Sequence, residues 1–244
     1  MAAFARKDGR KAHELRPVRI TPHYVSTADG SCLIEMGQTR VICTALFEPG
    51  VPEWLKGKGT GWVTAEYGML PASTGRRKKR PIGHLDGRAS EIQRLIGRCL
   101  RGVVAMDKLG ENSIFLDCDV LTADGGTRTA SITGSYVALA LALAKRQASG
   151  PLAGKRILQG KIAAVSVGIV AGKALLDLDY SEDVNAEVDM NVAQVSGGKF
   201  VEVQGTSEHK PFDRAQLNRM LSLAGSGIRK LMAEQERAIR KGLK

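Results

Sequence analysis

Apolar and polar positions alternate along three early stretches, Val18 to Ser26, Ser31 to Met36 and Arg40 to Phe47. A period of two predicts strands, and Asp29-Gly30 and Gly37-Gln38 are short turn signals between them. The period then changes. From Ser90 onward Ile92, Leu95, Ile96, Cys99, Leu100 and Val103 form one helical stripe, with Ser90 and Gln93 spaced as a capping box. Ile114 to Leu121 returns to alternation and predicts another strand. It leads through Gly125-Gly126 into an apolar helix stopped by Gly150-Pro151. Two hairpins follow, around Gly172 and around Gly197-Gly198, and Asp213 opens a last helix carrying Leu217, Met220, Leu221 and Ala224. The segments between Glu48 and Val63 and between Pro71 and Arg88 read as Gly- and Pro-rich connections. The "GKGTG" in the first lacks the GxxxxGK[ST] spacing of a nucleotide-phosphate loop. Strands and helices are mixed, without linker or repeat. The expectation is one α+β domain, an α/β sandwich, over residues 1–244.

Composition sharpens this in two respects. A net charge of +11 favours a polyanionic partner such as RNA, DNA or anionic lipid, the alternative being a basic surface kept for solubility. Cys32, Cys43, Cys99 and Cys118 lie in apolar runs without CxxC spacing, as expected of reduced thiols in a cytosol. The four histidines are scattered and make no metal motif. The uncharged run from Thr129 to Ala144 is too short to span a membrane, and nothing at the N-terminus has the pattern of a signal peptide, so a cytoplasmic protein is expected.

The candidate chemistry gathers in four places. At the strand-to-helix joint "ADGGTRT", two glycines give an anion access to unpaired helix N–H groups, Thr127 adds a hydroxyl and Arg128 a planar fork. A charge-assisted hydrogen bond is worth about 1.5–3 kcal/mol, against about 0.3–1 kcal/mol for the helix end. The arginine therefore dominates, and a second cation is needed. Arg88, also after a glycine and before a helix, is the candidate. Upstream, Arg76 to Arg80 form an unbroken cationic run suited to sequence-indifferent phosphate contacts. Finally, "LLDLDYSEDVNAEVDMN" crowds Asp177, Asp179, Glu182, Asp183, Glu187 and Asp189 into a basic protein. Crowded carboxylates repel unless neutralised, and hard oxygen donors suit Mg²⁺ or Mn²⁺. Taken singly, each motif is equally open to a structural role: a turn, a loop tie, a solvated charge run, an exposed acidic turn.

Five segments together, "GWVTAEYGMLPAST", "RPIGHLDGRASEIQRLIGRCLR", "LDCDVLTADGGTRTASITG", "EDVNAEVDMN" and "FVEVQGT", resemble the ribonuclease PH family in order and spacing. The resemblance implies the ribosomal protein S5 domain 2-like fold. It implies a phosphate-dependent 3′→5′ exoribonuclease, reversible as a nucleotidyltransferase, that trims the 3′ ends of tRNA precursors and other RNA. By the same resemblance Arg88, Gly126, Thr127 and Arg128 bind inorganic phosphate, and Asp183 and Asp189 are catalytic carboxylates holding Mg²⁺. Arg76, Arg77 and Arg80 contact RNA, and the assembly is a hexamer built as a trimer of dimers. The competing readings are a non-catalytic RNA-binding subunit of an exosome-like ring and a small-molecule kinase of the broader superfamily.

Overall fold

The computed structural model describes residues 6–80, 86–148, 150–208 and 210–244. His84 and His209, and the middle of the connection expected before Arg88, lie outside the described residues. Strands β1 (Val18–Pro22), β2 (Gly30–Met36), β3 (Thr39–Pro49), β4 (Trp62–Met69) and β5 (Asn112–Thr122) make one sheet in the order β1-β2-β3-β5-β4. All its pairings are antiparallel except β4 with β5. Parallel neighbours need a crossover, and helix α1 (Gly87–Arg101) with the short α2 (Met106–Leu109) supplies it. A second, antiparallel sheet has the order β7-β6-β8-β9, from β6 (Ile162–Val170), β7 (Lys173–Leu176), β8 (Val188–Val195) and β9 (Phe200–Ser207).

Helix α3 (Thr127–Gln147) lies between the sheets, against β2 and β3 on one side and β6 on the other. Its sequence already implies that place, since a helix apolar or small on every face must be covered on every face. It is buried continuously from Thr129 to Leu143. Small residues set the spacing: a Cβ at Gly30 would stand 2.1 Å from the Ala138 carbonyl oxygen, so β2 touches the helix backbone there. Helix α5 (Arg214–Gly242) closes the molecule over β6, β1 and β7, starting from a capping box of Asp213 and Gln216.

Three expectations are corrected. Strand β4 fills a stretch given no element, between the two Gly- and Pro-rich connections, although Val63, Ala65 and Tyr67 alternate inward. α1 starts one turn earlier than expected, because the Asp86 carboxylate rather than Ser90 accepts the helix N–H, from Arg88 at 2.8 Å. That helix also stops at Arg101, and the chain turns through Gly102 before α2.

Candidate active site

The C-terminal end of β4, the start of α1, the joint before α3 and the turn after β7 converge on one cavity of about 790 Å³. Arg88, Gly126, Thr127, Arg128, Asp183 and Asp189 all line it. Arg88 and Arg128, forty residues apart in the chain, thus share one space with both carboxylates.

The joint explains its own sequence. Gly125 and Gly126 both take left-handed backbone, at φ +73° and +67°, a region costly for residues with a Cβ. The space beside Gly125 is used differently from the expectation. A Cβ there would meet the Leu178 carbonyl oxygen at 2.6 Å and the Tyr180 nitrogen at 2.9 Å, so its bareness admits the acidic turn, not an anion. Gly126 is the N-cap of α3 and offers no side-chain cap, so the first turn of the helix, at the cavity lining, has no side-chain partner for its N–H groups from the cap. The start of α1 differs, since Asp86 already occupies it. An anion there depends on the Arg88 guanidinium, which is exposed.

Two donors at the joint are oriented by residues the sequence did not single out. Thr127 Oγ1 lies 2.9 Å from the Tyr67 hydroxyl, and burial raises the pKa of Tyr67, keeping it protonated. With Tyr67 donating, the Thr127 proton stays free for a ligand oxygen. Arg128 Nη1 donates to Gln204 Oε1 at 2.7 Å and Glu91 Oε1 at 3.3 Å, while Gln204 donates to the same Glu91 oxygen at 2.9 Å. One edge of the fork is therefore anchored, between α1 and β9.

The acidic stretch divides in two. Asp177 is fully buried against Arg16, with Arg16 Nη2 to Asp177 Oδ1 at 2.7 Å. Glu182 is buried against Arg6 at 2.6 Å, Asp179 caps the four-residue α4 (Tyr180–Asp183), and Glu187 accepts from the Gly172 N–H. Only Asp183 and Asp189 of the six line the cavity. Burial raises the pKa of Asp183 against the pull of Arg88, Arg128 and Arg16. Burial and then the Asp183 charge push Asp189 up to about 6, and Arg128 and Arg88 only partly offset this. Both carboxylates therefore sit in the field of both arginines.

Such a pair fits a hard divalent cation. Two partly desolvated carboxylates held together gain from one, and Mg²⁺ commonly takes one or two carboxylates and completes its shell with water and substrate phosphate. Among the described residues no group of three or more His, Cys, Asp or Glu could cage a metal alone. In the basic run, Arg76 and Lys78 line the cavity mouth, whereas Arg77 and Arg80 are exposed outside the lining. Ser166 and Asn191, cross-strand partners on β6 and β8, complete the floor.

Two family models match the chain: the 3′ exoribonuclease family, domain 1, over residues 14–145, and its domain 2, over residues 160–227. Ribonuclease PH of Bifidobacterium longum (strain NCC 2705) is 55% identical over 237 residues, 96% of either protein. Among solved structures, rice Rrp46 superposes with a TM-score of 0.77 at 15% identity, covering 96% of this chain and all of that one. The Archaeoglobus fulgidus exosome with RNA bound to the active site gives 0.77 at 23% identity over 94% and 92% of the two chains. At those identities the superpositions show the fold alone.

Proposed function

Because the chain belongs to the 3′ exoribonuclease family, we propose that its cavity carries out the phosphorolytic removal of nucleotides from RNA 3′ ends. The activity is that of a phosphate-dependent 3′→5′ exoribonuclease, with tRNA precursors as the RNA. The single observation that carries the site assignment is the convergence of Arg88, Arg128, Asp183 and Asp189 on one cavity.

Phosphorolysis must bring free phosphate against an anionic phosphodiester, and a cationic, desolvated site offsets that repulsion. Arg88, the Thr127 hydroxyl, the first N–H groups of α3 and the free edge of Arg128 bind the phosphate and aim one oxygen at the terminal phosphorus. That oxygen forms the new P–O bond as the bond to the 3′ oxygen of the preceding nucleotide breaks. The products are a nucleoside 5′-diphosphate and an RNA one nucleotide shorter, whose 3′ oxygen leaves as a hydroxyl with the proton that the attacking hydrogen phosphate gives up. No protein nucleophile takes part, and the same contacts serve the reverse addition. Asp183 and Asp189 would hold Mg²⁺ or Mn²⁺, which when bound supplies screening of charge on the scissile group. Arg76, Arg77 and Arg80 grip the RNA backbone at and beyond the mouth.

The remaining readings follow the family. A cytoplasmic location fits the four buried free cysteines, and among the described residues no helix is long and apolar enough to cross a membrane. A hexamer arranged as a trimer of dimers would give light scattering a mass of six chains. One apolar cluster runs through both sheets and α3, which supports treating the two matched spans as a single domain with one calorimetric transition.

The test is incubation of single-stranded RNA with Mg²⁺, with and without phosphate. Nucleoside diphosphates should accumulate only with phosphate; monophosphates released at the same rate without it would refute phosphorolysis. A non-catalytic ring subunit would release neither.

A further inference from the structure

The proposed chemistry requires two irregular segments, the joint at 124–126 and the acidic turn at 177–183, to keep fixed positions relative to each other. What holds them is the polar segment at 6–16, ahead of the first strand. Arg16 is buried and reaches both. Its backbone N–H and Nε donate to Asp177 Oδ2 at 2.8 and 3.1 Å, and Nη2 donates to Oδ1 at 2.7 Å. On the other side Nη1 donates to the Asp124 carbonyl at 2.5 Å, and Nη2 reaches the Gly125 carbonyl at 3.4 Å. Burial opposes the Arg16 charge, yet Asp177 holds its pKa above the ordinary value. Arg6 makes a two-point contact with Glu182, Nε to Oε1 at 2.7 Å and Nη2 to Oε2 at 2.6 Å, and also donates to the carbonyls of Leu176 and Asp177 at 2.9 Å. Asp177 itself is held at φ +56°, a conformation that costs a side-chain-bearing residue on the order of 1–3 kcal/mol. Buried ion pairs give little net stability over apolar replacements, so the gain to look for is geometry.

We infer that segment 6–16 is a positioning element of the active site. Arg16 locks the phosphate-binding joint against the acidic turn, and Arg6 holds the turn that presents Asp183. Neither Arg6 nor Arg16 lines the cavity. Arg6 precedes the span matched by the family model, which starts at residue 14. This rests on the phosphorolytic reading of the cavity, and it makes a distinction that a purely structural role would not. Arg6 grips the acidic turn and, at 3.4 Å, the Lys11 and Glu14 carbonyls of its own segment, with no bond to the joint, so its loss should disturb the carboxylate pair alone. Arg16 grips both segments, so its loss should disturb both ligands.

The experiment uses the full chain as wild type, Arg6→Met, Arg16→Met and Arg16→Lys, each checked for native far-UV circular dichroism at the assay temperature. Inorganic phosphate affinity is measured by calorimetric titration without RNA, and Mn²⁺ affinity by the electron paramagnetic resonance signal of the free ion. Arg6→Met should weaken Mn²⁺ binding by roughly 10–100-fold, the range for losing an outer support of a metal ligand, with phosphate affinity within about twofold of wild type. Arg16→Lys keeps a charge for Asp177 but cannot fork to the two carbonyls, and it should weaken both ligands by about tenfold or more. If Arg16→Met does not fold, Arg16→Lys decides. Folded Arg6 and Arg16 variants that bind both ligands like wild type would overturn the inference. If wild-type protein binds no phosphate, the functional reading falls first, so the two failures are told apart.

Discussion

Asp189 illustrates what the chain tolerates to keep its site. Its carboxyl is buried beside Asp183, which pushes its pKa up to about 6. A group whose folded pKa lies above its unfolded one favours the native state below the unfolded value, and that contribution is lost as pH rises through the folded value. The metal-free protein should therefore lose stability between about pH 4 and 6, and Asp189→Asn should remove the loss. At about 1.4 kcal/mol per tenfold in proton affinity, the variant gains at most roughly 3 kcal/mol at pH 7. Thermal unfolding without divalent cations should show a higher Tm than wild type at pH 7, converging by pH 4, while phosphorolysis is abolished. An equal or lower Tm at pH 7 would contradict this origin of the shift. At this scale the sequence was only half legible. The resemblance singled out Asp183, Asp189, Arg88 and Arg128, whereas the residues by themselves could not separate Asp183 and Asp189 from Asp177, Asp179 and Glu182. What separates them is burial of Glu182 against Arg6 and of Asp177 against Arg16, more than 150 residues away in the chain, and the use of Asp179 as the cap of α4. Glu91, Gln204 and Tyr67 were invisible for the same reason, since each acts through a contact across the fold.

At the level of elements, the strand–glycine–helix joint does two jobs. It leaves the start of α3 uncapped toward the cavity, and it lets the acidic turn approach to backbone contact at Gly125. Gly125→Ala should cost about 1–3 kcal/mol through positive φ alone and displace the turn as well, lowering phosphorolysis. Gly172 separates the two effects: its φ is +73°, but a Cβ there meets nothing within 4 Å. Gly172→Ala should lower Tm through strain while leaving turnover unchanged. Equal activity in both variants would show that the close approach at Gly125 does not matter for catalysis. α3 and β6 were readable because each is a continuous apolar run bounded by glycine turns. β4 was not, because Gly61 and the Gly-rich segment before it masked a short alternation. The start of α1 slipped by a turn because the Asp86 carboxylate outcompetes Ser90 as cap.

For the molecule as a whole, a charge of +11 becomes a directed surface. The cationic run of residues 76–80 opens onto the cavity, with Arg76 and Lys78 at its mouth. Changing Arg76, Arg77 and Arg80 together to Ala should reduce the slope of log affinity for single-stranded RNA against log salt by about 2, near 0.7 per lost phosphate contact. Filter binding at several salt concentrations measures it, and an unchanged slope would remove these residues from the RNA path. The basic balance was legible from composition alone. That it shares one cavity with a carboxylate pair depends on the fold.

The most direct test of the central claim is a crystal structure of the protein with inorganic phosphate. The account predicts one phosphate within hydrogen-bonding distance of the guanidiniums of both Arg88 and Arg128, on the Thr127 side of the cavity that Asp183 and Asp189 share. A phosphate held by only one of the two arginines, or bound outside that cavity, would contradict it.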